Sequence, residues 1–440
     1  MTSRTDIAAT ERARDTGLAH AVGLWPLTGS FVGILIGAGI FSVPATMSAA
    51  VGGYAPIAYA ACAIVMGTIM LCFAEATARV PSSGGPYGFA VAAFGPFWGW
   101  MVGAANLASA ALGAGALVAA AVAVIGTVVP AVAGGLGRAL AIAGWFTLLT
   151  LVNIRGVGIA ARFISWTTAI KLVPLLLFLV VGITAVDPGN FRVPAVIDAT
   201  DVGRAAIMGI FMFTGLECGL GIAGEVSNPA RTIPRAMFVA LFAVALLSTA
   251  IQMVAMGIIG PALGQSVAPL PDAIAMVSPP LRIVLVLGAA ASALGFVASD
   301  SMGSSRALFA FGRDGMAPAA FGRVHATTQA PYVAITVYAV ITAALAISGT
   351  FEKLAILATL LVVLVYIVGC AAALKLRREN IELAGPVHKI PGLHAAALFS
   401  FAAMAWLGFQ STREEAIGIA LFLVLISVAY RFRRTPQDRV

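Results

Sequence analysis

Gly33-Ile34-Leu35-Ile36-Gly37-Ala38-Gly39-Ile40, in the first apolar block of the chain, has a counterpart far downstream in Gly215-Leu216-Glu217-Cys218-Gly219-Leu220-Gly221-Ile222. The glycine spacing is the same: Gly33, Gly37 and Gly39 in one, Gly215, Gly219 and Gly221 in the other. Glycine is a poor helix former, so each stretch predicts an interruption within a helical span. Glycine pairs also let membrane helices pack closely, and for a single span that is the simpler reading. Matched in two spans, the pattern points to an internal repeat with two broken helices, whose freed backbone groups bind substrate and ion.

The flanking sequence says what surrounds those helices. Of 440 residues, 60% are hydrophobic and 10% charged, against about 25% charged in an average soluble domain. Water is not the main solvent. Twelve blocks are long enough to cross a hydrocarbon core of roughly 30 Å as helices: 23–47, 55–78, 88–126, 138–154, 161–186, 204–226, 235–260, 281–311, 331–349, 352–374, 393–410 and 416–432. The third and eighth are long enough to be tilted. The polar leader from Met1 to His20 runs into a full-length span and not into the short apolar region of a cleavable signal.

The glycine motifs fall in spans one and six, so the copies are five spans apart and the second is inverted relative to the first. The expected architecture is an all-α membrane protein with 12 transmembrane helices, of which the first and sixth are broken. A tail of residues 1–22 precedes a first five-helix repeat at 23–186, and an inverted repeat follows at 204–374. Two further helices at 393–432 and a tail at 433–440 complete it.

Charge tests this division. Of the 26 Lys and Arg residues, counting those near a span end with the adjoining loop, 19 belong to the N-terminus, the even-numbered loops and the C-terminus, 6 to the odd-numbered loops, and Lys171 lies deep inside a span. Positive charge is retained on the cytoplasmic side, so both termini are expected in the cytoplasm of a bacterial cell, with the chain in its inner membrane. The net charge of +8 is then a topology signal, and no nucleic-acid partner is implied. Cys62, Cys72, Cys218 and Cys370 stand singly in apolar stretches and read as packing residues. His20, His325, His388 and His394 lie in loops or at span ends. Neither metal nor cofactor is implied.

Ionisable groups inside a span are costly and mark function or a named partner. Glu217, in the break of span six, can sense or carry a proton, or can bond to unwound backbone. Lys171 lies mid-span, too deep to reach water easily; its ammonium serves coupling or a structural pair. Asp300, in span eight, neutralises Lys171, meets a substrate cation or is hydrated. Glu75, just before Arg79 and Pro81, reads as a structural or gating partner, and Glu225 as a helix-end residue. Asn106, in span three, offers an amide to either end of a zwitterion or to a neighbouring helix.

The breaks themselves favour an amino acid. A half-helix N-terminus offers N–H groups and a positive dipole to a carboxylate, and a half-helix C-terminus offers carbonyls to an ammonium. The carboxylate is expected near Gly37, Ala38 and Gly39, with Gly33 a turn earlier. The amine is expected near the carbonyls of Phe211 to Thr214, with Phe211 and Phe213 closing over the ligand.

Several segments resemble one family over nearly the whole chain. Gly33-Ile34-Leu35-Ile36-Gly37-Ala38-Gly39-Ile40-Phe41, Phe73-Ala74-Glu75 leading to Pro81-Ser82-Ser83-Gly84-Gly85-Pro86-Tyr87, and Ala93-Phe94-Gly95-Pro96-Phe97 are three of them. The most specific is Glu225-Val226-Ser227-Asn228-Pro229-Ala230-Arg231-Thr232-Ile233-Pro234-Arg235-Ala236, joined by Arg306-Ala307-Leu308-Phe309-Ala310-Phe311-Gly312-Arg313-Asp314-Gly315. Together they resemble the amino acid–polyamine–organocation (APC) transporter superfamily. That resemblance implies a LeuT-like fold of two inverted five-helix repeats, alternating access, and substrate between helices one, three, six and eight. Length and layout are closest to the bacterial arginine/agmatine antiporter group. The chain departs from it at Phe211, where a substrate-stacking tryptophan is expected, at Asn106, where a gating tyrosine is, and at Asp300, where another aromatic is. Lys171 instead matches the proton-coupled members of the superfamily, whose fifth-helix lysine replaces a sodium site.

The resulting expectation is a secondary transporter of an amino acid or related amine, proton-coupled, with a slight lean to a cationic substrate. The partners are that substrate, protons and membrane lipids. An exchanger without proton coupling is the alternative within this class, and a membrane sensor or channel is the alternative outside it. No signalling domain, activated serine, histidine cluster or phosphate loop supports a sensor or an enzyme.

Overall fold

The structure is a computed structural model that describes residues 23–37, 39–80, 85–155, 157–192, 198–220, 226, 229–313, 316–328, 330–383 and 389–431. Outside these lie the two expected tails, Ala38, Pro81 to Gly84, Gly221 to Glu225, Ser227, Asn228, Asp314, Gly315 and His388, as does the side chain of Cys218.

The first span is two helices, α1 (Leu24–Leu35) and α2 (Gly39–Val51). α1 stops because Ile36 leaves helical geometry at ψ 78°. The Ile36 N–H still reaches the Val32 carbonyl at 2.9 Å, but that of Gly37 turns to the Leu35 carbonyl at 3.0 Å. α3 (Ala55–Arg79) follows, with proline in its first turn, where no N–H is required. The expectation of one tilted span at 88–126 is corrected: α4 (Pro86–Phe94) and α5 (Pro96–Gly126) are separate helices. Gly95 sits between them at φ 93°, a conformation that strains other residues, and Pro96 has no N–H to extend the α4 ladder.

α6 (Gly135–Ile154) and α7 (Val157–Gly182) complete the first half. The sixth span is α8 (Ala199–Phe213) and α9 (Leu216–Gly219), interrupted at Thr214 and Gly215. Gly215 takes φ 107°, which explains the glycine. The two breaks are not in the same glycine register: Gly33, the counterpart of Gly215, is buried inside α1. α10 (Pro229–Ile259) is followed by a short helix without a sequence signal, α11 (Pro269–Val277). Then come α12 (Leu281–Arg313), α13 (Tyr332–Ser348), α14 (Phe351–Arg378), α15 (Leu393–Phe409) and α16 (Arg413–Arg431).

α14 lies along α5, α12 along α7 and α5, α10 along α3 and α1, and α2 along α8, while α15 packs on α3 and α14. Among the described residues, six helical segments are long and apolar enough to cross a membrane, and four shorter apolar helices accompany them. Phe242, Val180, Leu246 and Phe409 point outward, an arrangement that suits lipid and not water.

One charge cluster inside the bundle is paired. Glu75 and Arg79, one turn apart on α3 and both fully buried, form an ion pair at 2.9 Å. The Ile390 N–H donates to the other Glu75 oxygen at 2.9 Å, and the Arg79 guanidinium reaches Glu382 at 3.4 Å. The cluster thus ties α3 to the segment after α14, as expected of a structural partner. Arg138 on α6 donates to the carbonyls of Ala346, Ile347 and Gly349 at 3.0, 3.0 and 2.9 Å, capping the C-terminal end of α13.

Candidate functional site

The two breaks border a shared cavity of about 50 Å³. Ile34, Leu35, Gly37 and Gly39 line it from the first break, and Phe211, Met212, Thr214, Gly215 and Glu217 from the sixth. α5 contributes Asn106, Ser109, Ala110, Gly113 and Leu117, a stripe at helical spacing along one face. Phe296 and Asp300 from α12 and Ala358 from α14 close it.

Of the residues singled out in the sequence, Gly37, Gly39, Asn106, Phe211, Thr214, Glu217 and Asp300 line this cavity. Ala38 lies outside the described residues. Phe213 is fully buried and absent from the lining, so the expectation that it closes over the ligand is corrected: on α8 it points into the core. Gly33 also stays out of the lining and contributes its carbonyl elsewhere. Phe211 lines the cavity and meets Phe351 edge-on, with ring centroids 5.9 Å apart. Its carbonyl already accepts from the Thr214 N–H at 3.3 Å and the Thr214 hydroxyl at 2.8 Å. The expected amine contact there therefore faces competition.

The end of α1 leaves carbonyls without helical partners, and two neighbouring helices supply donors. The Lys171 ammonium, buried on α7, donates to the Gly33 carbonyl. Ser292 on α12 donates to the Ile36 carbonyl at 3.3 Å. A cation at a helix C-terminus is favoured by the dipole as well as by the hydrogen bond. Lys171 thus ties the fifth span to the first break without itself lining the cavity.

Glu217 stands in the first turn of α9, and its two oxygens accept from the Gly215 N–H at 3.1 Å each. Tyr366 on α14 donates to the same carboxylate at 3.0 Å. The acid thus bonds to the backbone N–H exposed by the break in its own helix. The alternative in which Asp300 neutralises Lys171 is corrected. The Asp300 carboxylate accepts from Tyr338 on α13 and, at 3.2 Å, from Ser304 one turn on. Among the described residues it has no cationic partner. Asn106, half-buried, likewise has no hydrogen-bond partner among them, and its amide is available to the cavity.

Sequence reasoning missed Phe296, Ser292, Tyr338 and Tyr366. Phe296 and Ser292 lie one and two turns before Asp300, so helical periodicity would have found them once that face was known. Nothing local marks Tyr338 or Tyr366, which are brought in by packing.

Comparison with known proteins gives a consistent result. The family described as amino acid permease matches residues 22–429. An uncharacterized transporter of Mycobacterium tuberculosis is 29% identical over 413 residues, covering 92% of this chain and 91% of that protein. The branched-chain amino acid permease BcaP of Lactococcus lactis is 27% identical over 329 residues, covering 67% of this chain and 69% of its own. Its namesake in Bacillus subtilis is 25% identical over 457 aligned positions, covering 95% and 94%.

Proposed function

The chain belongs to the amino acid permease family, and from that premise we propose that it carries an amino acid or related amine by alternating access, with protons as the coupling ion. It is a multi-pass membrane transporter. Both termini lie in the cytoplasm of this reading, the twelve spans divide into two inverted halves of five plus two appended helices, and the substrate sits between the breaks of the first and sixth. The substrate carboxylate rests on the N-terminal end of α2, and the cationic group lies against Asp300.

The observation that carries the substrate assignment is the Asp300 carboxylate, which borders the cavity with two neutral donors and no cation among the described residues. Even half-buried, a carboxylate without a counter-charge is costly, and a substrate ammonium supplies one. Lys171, seated on the carbonyl end of α1, supports proton coupling: losing its proton would release the first broken helix from the fifth span. Glu217 couples occupancy of the cavity to the sixth span through the Gly215 N–H.

A second reading has its own support. Leu35, Leu117, Phe211, Met212 and Phe296 make most of the cavity wall apolar, and two relatives are named branched-chain amino acid permeases. A neutral aliphatic amino acid fits that wall. Uptake of labelled lysine and leucine into proteoliposomes, by wild type and Asp300→Asn, separates the two. The cationic reading expects lysine uptake to fall at least about tenfold while leucine uptake falls far less, since an ion-paired hydrogen bond is lost. Equal loss of both, with leucine the better substrate, leaves the neutral reading.

A further inference from the structure

We infer that Tyr338, on a helix that contributes nothing to the cavity wall, is a positioning residue that sets the preference of the site for a cationic group by clamping the Asp300 carboxylate. The inference rests on the proposed contact between Asp300 and the substrate amine. Tyr338 is 2% exposed and lies on α13. Its hydroxyl donates to Asp300 Oδ2, and the Ser304 hydroxyl donates to Oδ1 at 3.2 Å.

The two donors divide the carboxylate evenly. An ionised carboxylate offers about four lone-pair sites, and one on each oxygen is taken. Both donors are neutral, so they fix the direction of the group without cancelling its charge. The charged groups on the surrounding elements are turned elsewhere: Arg306 donates to the Met302 carbonyl, Lys171 to the Gly33 carbonyl, and Glu217 accepts from Gly215 and Tyr366. The remaining lone pairs of Asp300, which lines the cavity, are left for an ammonium. A side chain held in its binding rotamer before the ligand arrives spares the ordering cost of binding. Tyr338 therefore strengthens recognition of a cation and does little for a neutral side chain.

The test measures KM and Vmax for lysine and leucine in proteoliposomes carrying wild type, Tyr338→Phe, Asp300→Asn and the double variant. Removing the phenolic hydroxyl is expected to raise KM for lysine about tenfold relative to KM for leucine, the scale of one hydrogen bond to a charged group. In the Asp300→Asn background the same change is expected to leave the lysine-to-leucine ratio where Asp300→Asn alone puts it. Ser304→Ala serves if Tyr338→Phe yields no folded protein, and the same selective rise in KM is expected from it. An equal rise in both KM values, or a full effect persisting without the carboxylate, overturns the inference. If Asp300→Asn shifts the ratio and Tyr338→Phe does not, the positioning role alone is overturned. If Asp300→Asn leaves the ratio unchanged, the amine contact beneath it fails as well.

Discussion

Replacing Lys171 by alanine is expected to abolish accumulation driven by a proton gradient while leaving exchange of substrate across the membrane. The ammonium donates to the Gly33 carbonyl at the C-terminal end of α1, within a buried contact. A hydrogen bond from a charged donor contributes about 1.5–3 kcal/mol, and a cation at a helix C-terminus about 0.3–1 more. Together, about 2–4 kcal/mol separates carrier states that keep this contact from states that break it, a factor of roughly 30 to 700. One pH unit is worth about 1.36 kcal/mol per proton, so one proton per substrate gives about tenfold accumulation per unit. The assay is uptake into proteoliposomes with an alkaline lumen, run beside counterflow at equal pH. Lys171→Ala should equilibrate without accumulating and still support counterflow. Lys171→Gln, which keeps a neutral donor for the carbonyl, should recover thermal stability but not accumulation. Tenfold accumulation with unchanged pH dependence in Lys171→Ala would refute the reasoning.

Two further perturbations probe the scaffold around the site. Gly215→Ala places a Cβ at φ 107° and 2.9 Å from Ile34 Cγ2; the strain of about 1–3 kcal/mol should lower the melting temperature of purified protein and its uptake together, and an unchanged melting curve would show that the break tolerates a side chain. Arg79→Ala leaves the fully buried Glu75 carboxylate, among the described residues, with the Ile390 N–H and a distant Arg377 at 3.9 Å, a loss of about 3–5 kcal/mol. Monodisperse yield in size-exclusion chromatography should collapse, and adding Glu75→Gln should restore most of it; no rescue would mean that Arg79 acts through packing alone.

Solvent, helical class and the two interrupted spans were legible along the chain, because these follow from local quantities. Apolar block length fixes what can cross a membrane, and glycine lowers helix stability wherever it stands. Lys171, Glu217 and Asp300 were legible for the same reason: a polar group in an apolar run needs a partner. What those partners are was decided by the tertiary structure. Glu217 turns back to its own backbone, Lys171 takes a carbonyl of α1, and Asp300 is held by Tyr338 on α13. No pattern along the chain distinguishes these outcomes from a Lys171–Asp300 pair, since each depends on how helices rotate about their axes when they pack. The third span shows the same limit: its apolar run is continuous in sequence, but Gly95 and Pro96 divide it because backbone geometry, not hydropathy, ends a helix. Periodicity names the faces of helices, and only their packing decides which faces meet.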